Sequence, residues 1–316
     1  MSYEIGTAIN YSDLLDKFYV FITTNAELVS NNQQWTAVRW TSDAVSKEKE
    51  LILKGVGLSQ SDEIYCGIRS YEDSSLDYYI WDFNGFIGYS DSKDFYNQPG
   101  AISGRVPRIS LHNSLIQYWF IANGRRIIII AKFGTIYQAA YLGFIKSYMS
   151  PVQYPYPLFI GGSMTGVDGL KYDVVSDDHR HFVNPGSTIR NAANTSCMLR
   201  NINGSWMPFQ NYYNNNIGDY SGKVWPYCVD RLKYIRESVS NNYTLFPIVL
   251  SQYNSSGDHN LFGELDGCYN ISGFNNSSGN NLNLDTSSGV KTGLVVQNVY
   301  RSSIVDYWGV FLDDVS

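Results

Sequence analysis

At 316 residues the chain is long for one typical core and suits two β-rich domains. Aromatic residues make up 15% of it, led by 26 tyrosines, against 16% charged, a balance that favours association with protein or sugar. The formal charge of −6 and the lack of any basic block argue against binding to nucleic-acid phosphates. No stretch approaches the ~20 apolar residues of a membrane span, and Met1–Gly6 lacks the basic-then-apolar layout of a signal peptide.

The first element is a helix at about residues 10–24. Tyr11, Leu14, Leu15, Phe18, Tyr19 and Ile22 fall on one helical face, with Asn10 or Ser12 to cap it and Asp13 and Asp16 at its positive end. Asn31 and Asn32 break the pattern, and short strands follow at 35–40, 50–54 and 63–69, the last with Ile64, Cys66 and Ile68 on one face. Residues 77–89 read as a long aromatic strand with Tyr79, Trp81 and Phe83 on one side, and Gly85 and Gly88 suggest a bulge or bend. Residues 90–114 read as a loop whose length points to a functional or partner-ordered segment.

The sharpest signal is Tyr118–Lys132, where two apolar runs flank Asn123-Gly124. That pair suits a type I′ turn, so a hairpin over 116–133 is expected, with Ala122 facing Arg125 and Phe120 facing Ile127. The run Ile127–Ile130 cannot alternate in and out of water, so its strand is expected to be covered on both faces. Residues 134–148 are ambiguous between strand and helix. Tyr154-Pro-Tyr-Pro157 must be extended, which suits a docking arm, and the division between the two domains (1–162 and 163–316) is placed at Gly161-Gly162. Beyond it come strands at 245–251, 261–271, 292–300 and 304–312, with a polar loop from Asn275 to Leu282. The fold class expected is mainly β: two sandwich-like or barrel-like domains and one N-terminal amphipathic helix.

The motifs that would carry chemistry are sparse. Asp177-Asp178-His179-Arg180-His181 is the densest polar cluster; His179 and His181 would share one strand face, and a nearby carboxylate would complete a metal site. A solvated loop with a local salt bridge reads the same residues without a metal. Glu264 and Asp266 lie on one face of a strand, as charge decoration or as an acid/base pair. Ser163 and Ser272 lack a nucleophile-elbow context. Cys66, Cys197, Cys228 and Cys268 are dispersed and read as reduced packing residues. No enzymatic activity, cofactor or required metal is expected. Arg125 and Arg126 are placed to pair with a partner's carboxylates or to keep the turn wet, and with Tyr154 and Tyr156 they are the interface candidates.

Several segments resemble a family of bacteriophage virion proteins encoded among tail genes of phages and prophages of Gram-negative hosts. They are Glu50-Leu-Ile-Leu-Lys-Gly-Val-Gly, Asp62-Glu-Ile-Tyr-Cys-Gly-Ile-Arg69, Tyr118-Trp-Phe-Ile-Ala-Asn-Gly-Arg-Arg, Tyr141-Leu-Gly-Phe-Ile, Gln153-Tyr-Pro-Tyr-Pro-Leu, His179-Arg-His-Phe-Val-Asn-Pro-Gly, Gly263-Glu-Leu-Asp-Gly, Val296-Gln-Asn-Val-Tyr-Arg-Ser and Asp306-Tyr-Trp. The resemblance covers almost the whole chain and is weakest over about 190–240. It implies a structural role in the tail or baseplate, built in the host cytoplasm from copies of this chain and other tail proteins in a ring or collar, without nucleic acid or a membrane span. A glycan-binding module or polysaccharide hydrolase of the tail is the competing reading, because exposed aromatics also stack on sugars.

Overall fold

The computed structural model describes residues 1–43, 48–165, 171–172, 179–185, 196–209, 222–229, 244–253, 258–274, 276–286 and 289–313. In chain order, β1 (Ser2–Ala8) leads to α1 (Tyr11–Thr24) and the short α2 (Ala26–Ser30). There follow β2 (Thr36–Ser42), β3 (Lys49–Gly55), β4 (Ile64–Asp73), β5 (Tyr78–Phe86), β6 (Pro107–Ser110), β7 (Ile116–Ala122), β8 (Arg126–Phe133), β9 (Ile136–Phe144), β10 (Lys146–Ser147), β11 (Leu158–Gly161) and β12 (Met164–Thr165). The remainder contributes β13 (Cys197–Arg200), β14 (Trp206–Pro208), β15 (Gly222–Trp225), β16 (Phe246–Tyr253), β17 (His259–Asn270), β18 (Asn281–Thr286), β19 (Gly289–Gln297) and β20 (Tyr307–Phe311).

These strands make three sheets, ordered β12-β6-β5-β4-β3-β2, β1-β7-β8-β9-β11-β13-β14, and β15-β16-β17-β20-β19-β18 with β10 added to β17. The chain is therefore mainly β with an N-terminal helix, and the sheet containing β8 is the middle layer. Ile127 and Ile129 face the core shared with α1 and the first sheet, whereas Ile128 and Ile130 face the core shared with the C-terminal sheet. All four are fully buried, and each such side chain contributes roughly 1.5–3 kcal/mol of burial. Two-sided cover explains why β8 carries no polar alternation. The division expected at 162 falls at the end of β11, which pairs β9 on one side and β13 on the other. Strands from both sides of that position thus lie in the middle sheet.

The helix forms where its apolar face predicts. Asn10 is its cap, the Oδ1 accepting from the Ser12 and Asp13 amides at 3.0 and 2.9 Å. Ile64, Cys66 and Ile68, and opposite them Tyr79, Trp81 and Phe83, all point into the same core. Gly85 makes no bulge, since β4 and β5 pair without a register shift. A Cβ there would lie 2.8 Å from Leu158 and 2.7 Å from Trp206, so this glycine lets the first sheet approach the middle one. The ambiguous stretch after the hairpin is strand, β9 and β10, and the strand β18 begins at Asn281, inside the expected polar loop; Asn275 lies outside the described residues.

The hairpin is present, but its register differs from expectation. Ala122 pairs with Ile127 and Phe120 with Ile129, and Asn123 N donates to the Arg126 carbonyl, so the turn is centred on Gly124-Arg125. Gly124 does not adopt the positive φ of a type I′ turn. The Asn123 carbonyl accepts from the buried Trp35 indole at 2.9 Å and takes no bond from the turn. The Asn123 side chain substitutes for it, its Oδ1 accepting from Arg125 N and Arg126 N at 2.9 Å each. The glycine is needed for close approach: a Cβ on Gly124 would stand 2.3 Å from the Gly57 carbonyl oxygen. Gly124→Val is accordingly expected to cost about 2–3 kcal/mol by overpacking against backbone that cannot yield. Urea unfolding with an unchanged midpoint would contradict this.

The two segments expected to be ordered by partners pack instead on their own chain. Between residues 90 and 114, Phe95, Ile102, Val106, Ile109 and Leu111 are buried, and Ile102 N donates to Asn84 Oδ1 at 2.8 Å. The apolar residues of this segment follow no period, so their burial left no pattern. In the Tyr-Pro-Tyr-Pro arm, Tyr154 is buried, its hydroxyl donates to the Arg200 carbonyl, and the Pro157 carbonyl accepts from Ile145 N at 3.0 Å.

Candidate functional site

Three places hold residues singled out by sequence, and a fourth holds residues that it missed. The first lies beneath the hairpin turn. Arg125 and Arg126 project toward β17, 141 residues away for the first pair, and meet Asp266 there. Arg125 Nη2 is 2.9 Å and Arg126 Nε 3.4 Å from Asp266 Oδ2, Asn123 Nδ2 donates to the same oxygen at 3.2 Å, and Lys146 Nζ is 3.3 Å from Oδ1. Arg126 is 1% exposed and Asp266 7%. These arginines are thus spent inside the molecule and neither wet the turn nor await a partner's carboxylate. Burial alone would raise the Asp266 carboxyl, but Arg126, Arg125 and Lys146 outweigh it and hold the group well below the usual carboxylate range. Gly267, at φ +79°, makes room: a Cβ there would sit 2.5 Å from Arg126 Nη2. Glu264, on the same strand face, is paired separately with Lys146 at 3.9 Å. The arrangement clamps the middle sheet to the C-terminal one.

The second place is the histidine pair. His179 and His181 are fully buried. His181 lies against Tyr137 and Trp308: its Nε2 is 3.0 Å from the Tyr137 carbonyl, and Trp308 Nε1 donates to its Nδ1 at 3.1 Å. A neutral ring with the proton on Nε2 satisfies both contacts and leaves the Val299 N–H, directed at the same Nε2 at 3.2 Å, without acceptance from the ring. The Gln138 amide nitrogen stands 3.0 Å from His179 Nε2. Burial pushes the His181 imidazole down to about 3. Both imidazoles are occupied by these contacts between layers, and Asp177 and Asp178 lie outside the described residues. Among the described residues no group of three or more His, Cys, Asp or Glu is placed to hold a metal ion.

The third is the arm. Tyr154 is internal and Tyr156 half-buried, with the Arg200 guanidinium over the Tyr156 ring at 6.0 Å. Arg200 was not a sequence candidate. It closes β13 in the polar region where no motif drew attention to it.

The fourth, also missed by sequence, is the outer edge of the middle sheet. Among the described residues β1 pairs with β7 and with no other strand. Its register places Tyr3 opposite Ile121 and Ile5 opposite Trp119 and ends at Ala8 opposite Ile116, so that Ile9 and Leu115 follow at the end of the ladder. Tyr3 is 44%, Ile5 48%, Ile9 70% and Leu115 64% exposed, an apolar stripe on one face along a free edge. Glu4, on the other face, accepts from the Tyr118 hydroxyl at 2.7 Å.

Of the remaining candidates, Ser163 is buried against the Ala139 backbone, Ser272 Oγ accepts from Phe274 N, and all four cysteines are free thiols, three of them buried. No helix among the described residues is long and apolar enough to cross a membrane. Neither a protein-family model nor a curated protein matches the chain.

Proposed function

We propose that the chain is a non-catalytic structural subunit of a phage virion, in the tail or baseplate, assembling through protein contacts with copies of itself and with other tail proteins as a ring or collar. The observation that carries this reading is the edge of β1, unpaired among the described residues, with the exposed Tyr3, Ile5, Ile9 and Leu115. Natural edge strands are blunted by lysines, prolines, bulges or a covering loop; β1 has none of these in its sequence, and its one charge turns away to Tyr118. Such an edge is satisfied when another chain adds a strand or lays an apolar face on it, and a closed ring does so for every copy at once. The segments quoted above that resemble phage tail proteins support the same reading.

Purified particles of the phage that carries this gene test it. Mass spectrometry is expected to find the chain at several copies per particle, and cryo-electron microscopy to find the β1 edge covered. Ile5→Lys, at an exposed position, is expected to change unfolding stability by no more than about 0.5 kcal/mol while preventing incorporation. Particles that lack the chain, or that incorporate the lysine variant at wild-type copy number, would overturn the proposal.

A further inference from the structure

Arg39, Arg69, Arg108, Arg125, Arg126 and Arg180 each reach a carboxylate. Arg200 reaches none among the described residues, although it is half-buried and in a fixed place. It stands at the end of β13, where the chain turns through Asn201–Ser205 into β14. The turn is closed by Asn201 N donating to Ser205 O at 2.9 Å and Gly204 N to Asn201 O at 3.0 Å. Two glycines border the guanidinium: a Cβ on Gly100 would lie 3.2 Å from Nη1, and one on Gly204 3.0 Å from Nη2. The Tyr156 ring covers it at 6.0 Å. Burial lowers the Arg200 pKa, because the groove already strips part of its hydration, and Tyr156 and Tyr154 oppose the shift.

Beside it is a groove of about 210 Å³, lined by Tyr156, Arg200, Asn201, Ile202, Asn203 and Gly204 among others. The polar chemistry of that lining is one-sided. Asn201 Oδ1 is engaged by Asn203 N at 3.0 Å, and Asn203 Oδ1 by Ser205 N and Oγ at 2.9 and 2.7 Å. What the two amides have left are their N–H donors, next to a guanidinium that has only donors. Among the described residues no carboxylate lines the groove.

We propose that this groove is a binding site for a carboxylated sugar residue, with the carboxylate on Arg200, ring hydroxyls on the Asn201 and Asn203 amides, and a C–H face against Tyr156. A planar guanidinium fork matches a carboxylate in bidentate fashion. The volume, below the ~300–1,000 Å³ of sites for drug-sized ligands, suits one small ring. The amides favour a sugar over a peptide carboxylate because they meet hydroxyl oxygens on the same small ligand. The site is separate from the β1 edge and does not depend on the assembly role.

The test uses the intact protein with sodium D-glucuronate, D-glucose and an N-acetyl-glutamyl peptide as probes, followed by saturation-transfer NMR and by titration of tyrosine resonances. Glucuronate is expected to bind in the ~1–10 mM range and to shift Tyr156, while glucose and the peptide bind at least tenfold more weakly. Arg200→Gln is expected to lose about tenfold or more in glucuronate affinity with an unchanged unfolding midpoint. If that variant does not fold, the discrimination among the three probes on wild-type protein still decides. Absence of glucuronate binding, glucose binding as tight as glucuronate, peptide binding as tight or tighter, or a folded Arg200→Gln with wild-type affinity would each overturn the proposal.

Discussion

Asp266→Ala is expected to destabilise the protein by about 3–5 kcal/mol, the usual cost of removing one partner from a buried ion cluster. The carboxylate faces both Arg125 and the almost fully buried Arg126. Without it the guanidinium of Arg126 remains in a volume that excludes water, and its Nη1 already has no hydrogen-bond partner among the described residues. Urea unfolding measures the effect, and a shift below about 1 kcal/mol would show that the cluster does not hold the layers together. The double variant Asp266→Ala/Arg126→Met separates the two origins of the loss. If the penalty is the uncompensated charge, the double variant is expected to recover a large part of it. If the loss is merely packing, the two changes add.

The same carboxylate gives stability a low-pH limit. Its native pKa lies below the unfolded value, near 3.9. Between the two values the unfolded chain binds the proton and the folded one does not. The contribution therefore stands in full above roughly pH 4 and is lost as pH falls toward the native value.

What the sequence made legible follows the range of the interactions. The helix face from Tyr11 to Ile22, the inward set Ile64, Cys66 and Ile68, and the double-faced burial of Ile127–Ile130 all came from periodicity, which local geometry imposes. The turn register did not: it comes with contacts distant in sequence, an indole 88 residues away on the Asn123 carbonyl and the Gly57 carbonyl against Gly124. β1 escaped notice because its pattern is inverted: Tyr3 and Ile5 face out, while small Gly6 faces in beneath the Tyr118 ring. Spacing alone placed His179 and His181 on one strand face as ligands; residues 179–181 form no strand, and the layers around them bury both rings. Asp266 looked like surface decoration because nothing in β17 announces the two arginines arriving from the middle sheet. Arg200 gave no signal, because an arginine that reaches no carboxylate among the described residues is visible only in the folded chain.

Acidification to pH 5 is expected to cost about 2 kcal/mol through His181 alone. The imidazole has a native pKa of about 3 against about 6.5 in the unfolded chain. Between these values the unfolded state holds one more proton, so stability rises with pH across the window and is lost as pH falls from about 6.5 toward 3, at about 1.4 kcal/mol per unit. The geometry gives the reason. With Nε2–H directed at the Tyr137 carbonyl, the only nitrogen left to protonate is Nδ1, which accepts from the Trp308 indole. A proton there would set two donors against each other inside a fully buried core. His181→Gln can keep both contacts, its amide nitrogen donating to Tyr137 and its oxygen accepting from Trp308, and it cannot titrate. The variant is expected to lose only modest stability at pH 7 and to be flatter than wild type by about 2 kcal/mol between pH 7 and pH 5. Denaturant unfolding at both values measures the difference, and equal slopes in the two proteins would show that His181 does not set the acid limit.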